Sequence, residues 1–443
     1  MLTADVAIVG AGPAGLACAI RLLQLIKAHN ASGALPISEE GIFVLEKAAT
    51  LGEHSLSGAI LDPRSLRELL GNVAEQAPIE ALVQEEALFY FTQKQAIASP
   101  IIPSILENKG HWLVSLRQLV EWLGKEAELL GANLFTGFAV QSLLLDQQRL
   151  VGVRTGDKGV GRDGKPKSNF EPGVDVHATH TVLAEGARGS LAKQLFAALP
   201  AISKLVPMSY SLGMKEIWQL PAGRSAAGRV WHGLGFPLPS EVPGGAWVYG
   251  LDQDRVSLGL VTGMQWREAR FDPFEAFLQF KTHPKIVQLL EQGTRLEYGA
   301  KVICRSDASS RPTACFFGGL LVGEAAGYFH SGRLKGIHLA IKSGMLAAET
   351  LFASLRDATE DCQLCEQHEA RLHQSWLSAE LQQSDAFAYA SQEGWLQSIP
   401  KLAISFFAKS ASHRPVEGKA PHEYLQKLDE VRGSMVPDRK SVV

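Results

Sequence analysis

Three glycine-bearing segments carry the residues whose types and spacing suit capture of a nucleotide cofactor. The first is Gly10-Ala11-Gly12-Pro13-Ala14-Gly15, directly after the apolar run Val6-Ala7-Ile8-Val9. In that pattern Gly10 permits a sharp turn and Gly12 lets backbone approach a pyrophosphate. Gly15 lets the following helix pack closely on the strand. The helix start offers unpaired N–H groups and the positive end of its dipole to phosphate. A second apolar run, Ile42 to Leu45, ends in Glu46, a carboxylate that can accept from ribose hydroxyls. Asn30 to Glu40 reads as a polar insertion that lengthens the usual spacing. The other segments are Ala184-Glu185-Gly186-Ala187-Arg188-Gly189 and Gly323-Glu324-Ala325-Ala326-Gly327, where Glu324 offers another acceptor. The last also fits a close helix–sheet contact with no ligand. Grip at three separated places suits FAD, a long dinucleotide, better than NAD. Gly159-Val160-Gly161-Arg162-Asp163-Gly164 fits the glycine pattern too, but Lys165 to Asn169 cannot open an apolar helix, so it predicts a polar hairpin or loop.

The elements that must hold these segments alternate, strand then helix, as in a doubly wound sheet. The predicted fold class is α/β: an FAD-binding, Rossmann-like domain with an inserted, mainly antiparallel α+β domain. The expected divisions are 1–77, 115–200 and 301–356 for the FAD-binding domain. Residues 78–114 form a proline-broken strand pair with an apolar loop over 97–106, on a quinone or membrane side. Residues 201–300 form the insert, and 357–443 a helical C-terminal segment. Within the second part, Leu116 to Leu130 predicts an amphipathic helix with Leu116, Leu119, Val120, Leu123, Ala127 and Leu130 on one face.

With 443 residues, 46% hydrophobic residues and a formal net charge of −3, the chain reads as a folded globular protein without global attraction to nucleic acid. No apolar run reaches membrane-spanning length, and the first strand starts too close to Met1 to leave room for a targeting signal. The five cysteines are dispersed, which suits a reducing compartment and argues against a disulfide framework.

Beyond these readings, long specific stretches resemble the electron transfer flavoprotein–ubiquinone oxidoreductase family, within a larger group of FAD proteins that includes geranylgeranyl reductases. They are Gly52-Glu53-His54-Ser55-Leu56-Ser57-Gly58-Ala59-Ile60-Leu61-Asp62-Pro63-Arg64, Thr155 to Gly164, Asp272-Pro273-Phe274 with Lys281 to Pro284, and Leu334-Lys335-Gly336 with Lys342-Ser343-Gly344. The resemblance runs from about residue 4 to about 380. It implies an FAD enzyme on a membrane surface that takes electrons from reduced electron transfer flavoprotein and reduces ubiquinone. By position, Gly10, Gly12, Gly15 and Glu46 would hold the ADP half of FAD. Ser57, Gly58 and Ala59 would lie along the flavin, and Gly323, Glu324, Gly327 and Gly336 would complete the cradle. Gly244-Gly245 resembles the family's glycine pair at the quinone headgroup, although the same pair also fits an ordinary turn. No general acid or base stands out, as suits electron transfer.

Departures from the family pattern bear on the same site. Cys304 stands where the family usually has an asparagine, and Ile337 and Leu339 where it has threonines, so hydrogen bonds to the flavin ring are lost. The family's C-terminal ferredoxin-like domain, with a 4Fe–4S cluster on four cysteines, has no counterpart in this sequence, so electrons would pass from donor to flavin to quinone directly or through a separate ferredoxin. Cys362-Gln363-Leu364-Cys365 with His368 and His373 fits either a solvated helix or a zinc set. Trp395 to Lys409 fits either a dip into one leaflet or a buried helix. In a bacterium the implied place is peripheral, on the cytoplasmic face of the inner membrane. Two other expectations stand beside this one: a flavin reductase of the geranylgeranyl reductase type acting on an apolar substrate, and a truncated FAD-binding remnant without turnover.

Overall fold

A computed structural model describes residues 2–390 apart from 56, 205–207 and 225. Strands and helices are numbered in chain order. β1 (Leu2–Val9) runs through an eight-stranded sheet. Its neighbours are β2 (Ile42–Glu46) and then β8 (Asn133–Thr136) on one side. On the other lie β13 (Asp175–Leu183), β20 (Gly319–Leu321) and β19 (Cys315–Phe316). β10 (Arg149–Thr155) pairs with β13, and β9 (Val140–Asp146) pairs with β10. β1 pairs in parallel with both β2 and β13, and Val6, Ala7 and Ile8 are fully buried. Both faces are therefore covered, as a parallel sheet requires. One face packs α1 (Pro13–Ala31), α2 (Arg64–Leu70), α3 (Leu116–Leu129) and α7 (Ile337–Asp357). The other packs α4 (Ser190–Ala198) and α9 (Trp376–Ala390). Small residues let α1 and α7 approach: a Cβ on Gly344 would lie 2.2 Å from the Ala14 carbonyl oxygen.

A second sheet of seven strands faces the first. Its order is β18 (Thr294–Arg305), β14 (Ser209–Gln219), β17 (Arg255–Gly263), β16 (Gly244–Gly250), β15 (Arg229–Gly235), β5 (Glu85–Phe91) and β6 (Ala96–Ala98). Every pairing is antiparallel except β15 with β5. Alternation gives this sheet two chemistries. Met214, Val256, Leu258 and Leu260 meet Phe277, Phe280 and Ile286 of α5 (Pro273–Thr282) and α6 (Pro284–Leu290) on the outer face. By register, Lys215, His232, Gly245, Trp247, Tyr249, Ser257 and Gly259 point the other way, toward the nucleotide fold. A small sheet of β3 (Ala59–Leu61), β7 (Trp112–Val114) and β4 (Ile79–Leu82) joins the two units through Ile60, Leu113, Ile217 and Tyr249.

Glu216 lies on the outer face and ties the sheet to its helices. It accepts from Lys281 at 2.8 Å, Trp218 Nε1 at 2.8 Å and Arg295 at 3.2 Å. Burial would raise its carboxyl, but these donors outweigh it and hold the group below its usual range. Glu216→Ala is expected to cost about 1–2 kcal/mol, because it removes the acceptor shared by the partly buried Lys281 and the Trp218 indole while Arg295 turns to water, and to lower the denaturant midpoint at unchanged slope.

Three findings refine the sequence reading. The 159–164 glycine pattern is an exposed hairpin of β11 (Lys158–Val160) and β12 (Pro166–Glu171). The expectation against disulfides is corrected at one pair: Cys315 of β19 is bonded to Cys365 of α8 (Asp361–Gln374). Dispersal in sequence hid the pair, since 50 residues separate partners that the fold brings together. Of the remaining zinc candidates, Cys362 is exposed, while His368 is buried and meets the Thr350 hydroxyl at 3.1 Å. In the 97–106 loop, Ile97 and Ile101 are exposed at 51% and 72%, so the loop does carry apolar surface. Among the described residues no helix is long and apolar enough to cross a membrane. The segment Trp395 to Lys409 lies outside the described residues.

Candidate functional site

The parallel strands end together, and the three glycine segments follow from those ends. β1 leads into Gly10, whose φ of +105° and close contact with Ala184 exclude a side chain. A Cβ there would lie 2.5 Å from the Ala184 carbonyl oxygen, so the first and second segments touch. A Cβ on Gly15 would lie 2.0 Å from the Gly10 carbonyl oxygen, which is the close strand–helix packing the pattern requires. Gly12, the N-cap of α1, differs: nothing lies within 4 Å of its Cβ position. Open space thus adjoins the unpaired N–H groups of the helix start.

Glu46 closes β2 and accepts from the backbone N–H of Ala11 at 2.9 Å and of Ala48 at 2.8 Å. These bonds fix the carboxylate beside the glycine turn and leave acceptor capacity for a hydroxyl. Gly323, Glu324 and Gly327 form a tight turn after β20, with the Gly323 N–H held by the Ser343 hydroxyl at 2.9 Å. Gly336 is the N-cap of α7, so a second helix N-terminus opens near that turn. Ser57 is buried and meets the Ser115 hydroxyl at 2.9 Å; Ala59 opens β3. Gly58 sits against the inserted sheet, where its Cβ would lie 2.7 Å from Ser257. Gly244 and Gly245 are in strand β16, not in a turn, paired with Thr262 and Val261 of β17.

The inner face of the second sheet meets the 57–59 segment: Lys215 Nζ donates to the Gly58 carbonyl oxygen at 3.3 Å, and Ser257 abuts Gly58. Lys215, His232 and Glu324 sit deep in the molecule yet keep partly open surface. Trp247 Nε1 and Ser257 Oγ are buried without a hydrogen-bond partner among the described residues. Such orphaned donors carry a cost that a polar ligand would relieve. Burial pushes the Glu324 carboxyl up to about 7 and the Lys215 amine down to about 7, and it drops His232 to about 4. Glycine turns, two helix N-termini and the orphaned Trp247 and Ser257 atoms are the donor set a dinucleotide such as FAD requires.

Sequence reasoning found the cradle but not the opposite wall. Lys215, His232, Trp247 and Ser257 have no local motif; only strand alternation places them on one face. At the positions that depart from the family pattern, Cys304 is buried with its thiol 3.5 Å from Met208 Sδ, and Leu339 is fully buried. Ile337 is partly buried in the first turn of α7.

A buried ionic cluster behind α7 also escaped notice. Glu380 of α9 accepts from Arg64, from Arg333 at 2.9 Å and from His338 Nε2 at 2.8 Å. Arg333 also reaches Asp62 at 3.3 Å. Asp62, His338 and Glu380 bring ligand atoms within 4.8 Å of one another, but the two guanidinium groups already neutralise both carboxylates. The cluster fastens α9 to the first turn of α7.

Comparison with known proteins agrees with this geometry. A family model described as the ubiquinone-binding part of ETF-QO matches residues 210–303, which contain β14 to β17 and most of β18. The human electron transfer flavoprotein-ubiquinone oxidoreductase is 39% identical over 387 residues, 85% of this chain and 62% of that protein. A probable counterpart from Acinetobacter baylyi is 38% identical over 358 residues, covering 79% of this chain and 62% of its own length. The rice protein is 36% identical over 421 residues, 94% of this chain and 70% of its own. This chain thus spans about three fifths of the length of the human and Acinetobacter relatives. Among solved structures, a geranylgeranyl bacteriochlorophyll reductase-like protein from Thermoplasma acidophilum superposes with a TM-score of 0.64 at 17% identity, covering 92% of this chain and 97% of its own. The FAD-dependent halogenase CndH gives a TM-score of 0.61 at 17% identity, covering 98% and 88%. These two share the fold, an FAD-binding Rossmann-like architecture. On sequence, the chain belongs to the electron transfer flavoprotein–ubiquinone oxidoreductase family.

Proposed function

We propose that this protein is an FAD-dependent oxidoreductase that accepts electrons from reduced electron transfer flavoprotein and passes them to ubiquinone at a membrane surface. The observation that carries this reading is the glycine turns at the ends of the parallel strands, set with the 57–59 segment that the inner face of the sheet matched by the ubiquinone-binding model contacts. When bound there, FAD supplies the electron-accepting and electron-releasing chemistry. The chain's own residues bind and orient. Gly12 and the N-terminus of α1 receive the pyrophosphate, and Glu46 accepts from the ribose. Ser57, Gly58 and Ala59 flank the ring, with Gly323, Glu324, Gly327 and Gly336 closing the far side. Gly244 and Gly245 present backbone to the quinone headgroup.

The apolar surface at Ile97 and Ile101 supports contact with one leaflet, from the cytoplasmic side of the inner membrane in a bacterium. A separate ferredoxin is a further candidate partner. The test is direct. Purified protein is expected to carry a flavin spectrum and to oxidise reduced electron transfer flavoprotein when a soluble ubiquinone analogue is supplied. Flavin reduced by NADPH but not by the flavoprotein would overturn the reading in favour of a reductase; colourless protein that stays so with added FAD would sink both.

A further inference from the structure

We infer that Lys215 is the cation that stabilises negative charge on the bound flavin ring, facing it from the inserted sheet across the 57–59 segment. This deepens the FAD reading above and rests on it. Lys215 lies in the middle of β14, on the inner face, opposite Gly259 of β17 and Gly299 of β18. The Trp247 ring lies over Gly259, and Glu297 shares the same face of β18, so the amine is bordered by an aromatic ring and one carboxylate. Its Nζ donates to the Gly58 carbonyl oxygen at 3.3 Å, so the amine reaches the segment assigned to the ring. Gly58 in turn abuts Ser257, whose hydroxyl is unpartnered among the described residues. The amine therefore meets the segment assigned to the ring from the sheet side.

The surroundings make this charge matter. Glu297 of β18 favours the charged form, but burial dominates and brings the amine to about 7. A poorly solvated cation gains most when an anion joins it in the same space. Across the cradle, Cys304, Ile337 and Leu339 offer no hydrogen-bond donor of the kind the family's asparagine and threonines supply. The share of charge stabilisation left to Lys215 is correspondingly larger.

Sulfite tests this without turnover. Its lone pair forms an S–N bond to the oxidised ring, no electron leaves the pair, and the added negative charge remains on the ring, bleaching its absorbance. FAD-loaded wild type, Lys215→Arg, Lys215→Gln and Lys215→Met would each be titrated with sulfite after FAD affinity is measured. The expected result is at least tenfold weaker sulfite binding in the Gln and Met variants, with Arg within about threefold of wild type. Loss of FAD in the Gln and Met variants but not in Arg would also support a charge role. Lys215→Gln that binds FAD and sulfite like the wild type would reduce Lys215 to a strut for the 57–59 segment and overturn the inference. Wild-type protein that takes up no FAD would instead overturn the function reading.

Discussion

Gly12→Val is expected to leave the fold intact and to weaken FAD binding at least about 100-fold, or roughly 3 kcal/mol. The backbone at Gly12 is extended, with φ −78° and ψ 179°, which valine adopts without strain. Its Cβ position meets no protein atom within 4 Å, so the folded chain tolerates the side chain. The same position adjoins the free N–H groups of α1, where the pyrophosphate belongs, so the isopropyl group would exclude the ligand. Gly15→Ala gives the opposite result: a Cβ 2.0 Å from the Gly10 carbonyl oxygen forces backbone apart and costs about 3 kcal/mol of stability. Denaturant unfolding of the apo-protein and quenching of FAD fluorescence separate the two effects. A Gly12→Val protein that binds FAD as tightly as wild type would show that the cradle at α1 holds nothing.

Glu380→Gln is expected to lower stability by about 1–3 kcal/mol, because it leaves the mostly buried Arg333 and the half-exposed Arg64 with Asp62 as their shared carboxylate. Burial alone would raise the Glu380 carboxyl, but His338, Arg333 and Arg64 hold it far below the usual carboxylate range. A carboxyl depressed in the folded state contributes stability that is complete above its unfolded value, about 4.3, and is lost as pH falls from there toward the folded value. Wild-type stability should therefore fall steeply between about pH 5 and pH 3, and the Glu380→Gln protein should fall less steeply over the same window. Equal slopes would mean that the ion cluster contributes nothing. Because Glu380 meets His338 in the first turn of α7, the variant should also loosen the Gly336 end of the cradle, seen as a faster FAD off-rate.

How much of this could be read from the chain depended on whether the signal was local. Gly10 to Gly15 encodes its own turn and helix start, and Leu116 to Leu129 encodes its own buried stripe, so both were legible. The antiparallel insert was legible as alternation, yet its inner wall was not, because Lys215, His232 and Ser257 come from three strands joined only by register. The parallel pairing of β5 with β15 spans more than a hundred residues, and no short pattern announces it. Separation in sequence likewise hid Cys315 with Cys365, 50 residues apart, and Glu380 with Arg64, 316 apart. The site assignments at Ser57 to Ala59 and at Gly244-Gly245 came from family resemblance, not from any chemistry those small residues display alone.

β1 pairs with β13 and β13 with β20, so the pocket draws on residues 10, 184 and 323 together. A ribosome must therefore release most of this polypeptide before the coenzyme has anywhere to settle. The N-terminal glycine turn, first to emerge, waits through some three hundred residues of synthesis for its far side. Loading then waits until β20 and the turn after it have emerged, and a nascent chain stalled before Leu320 should retain no flavin however well its first strands have formed.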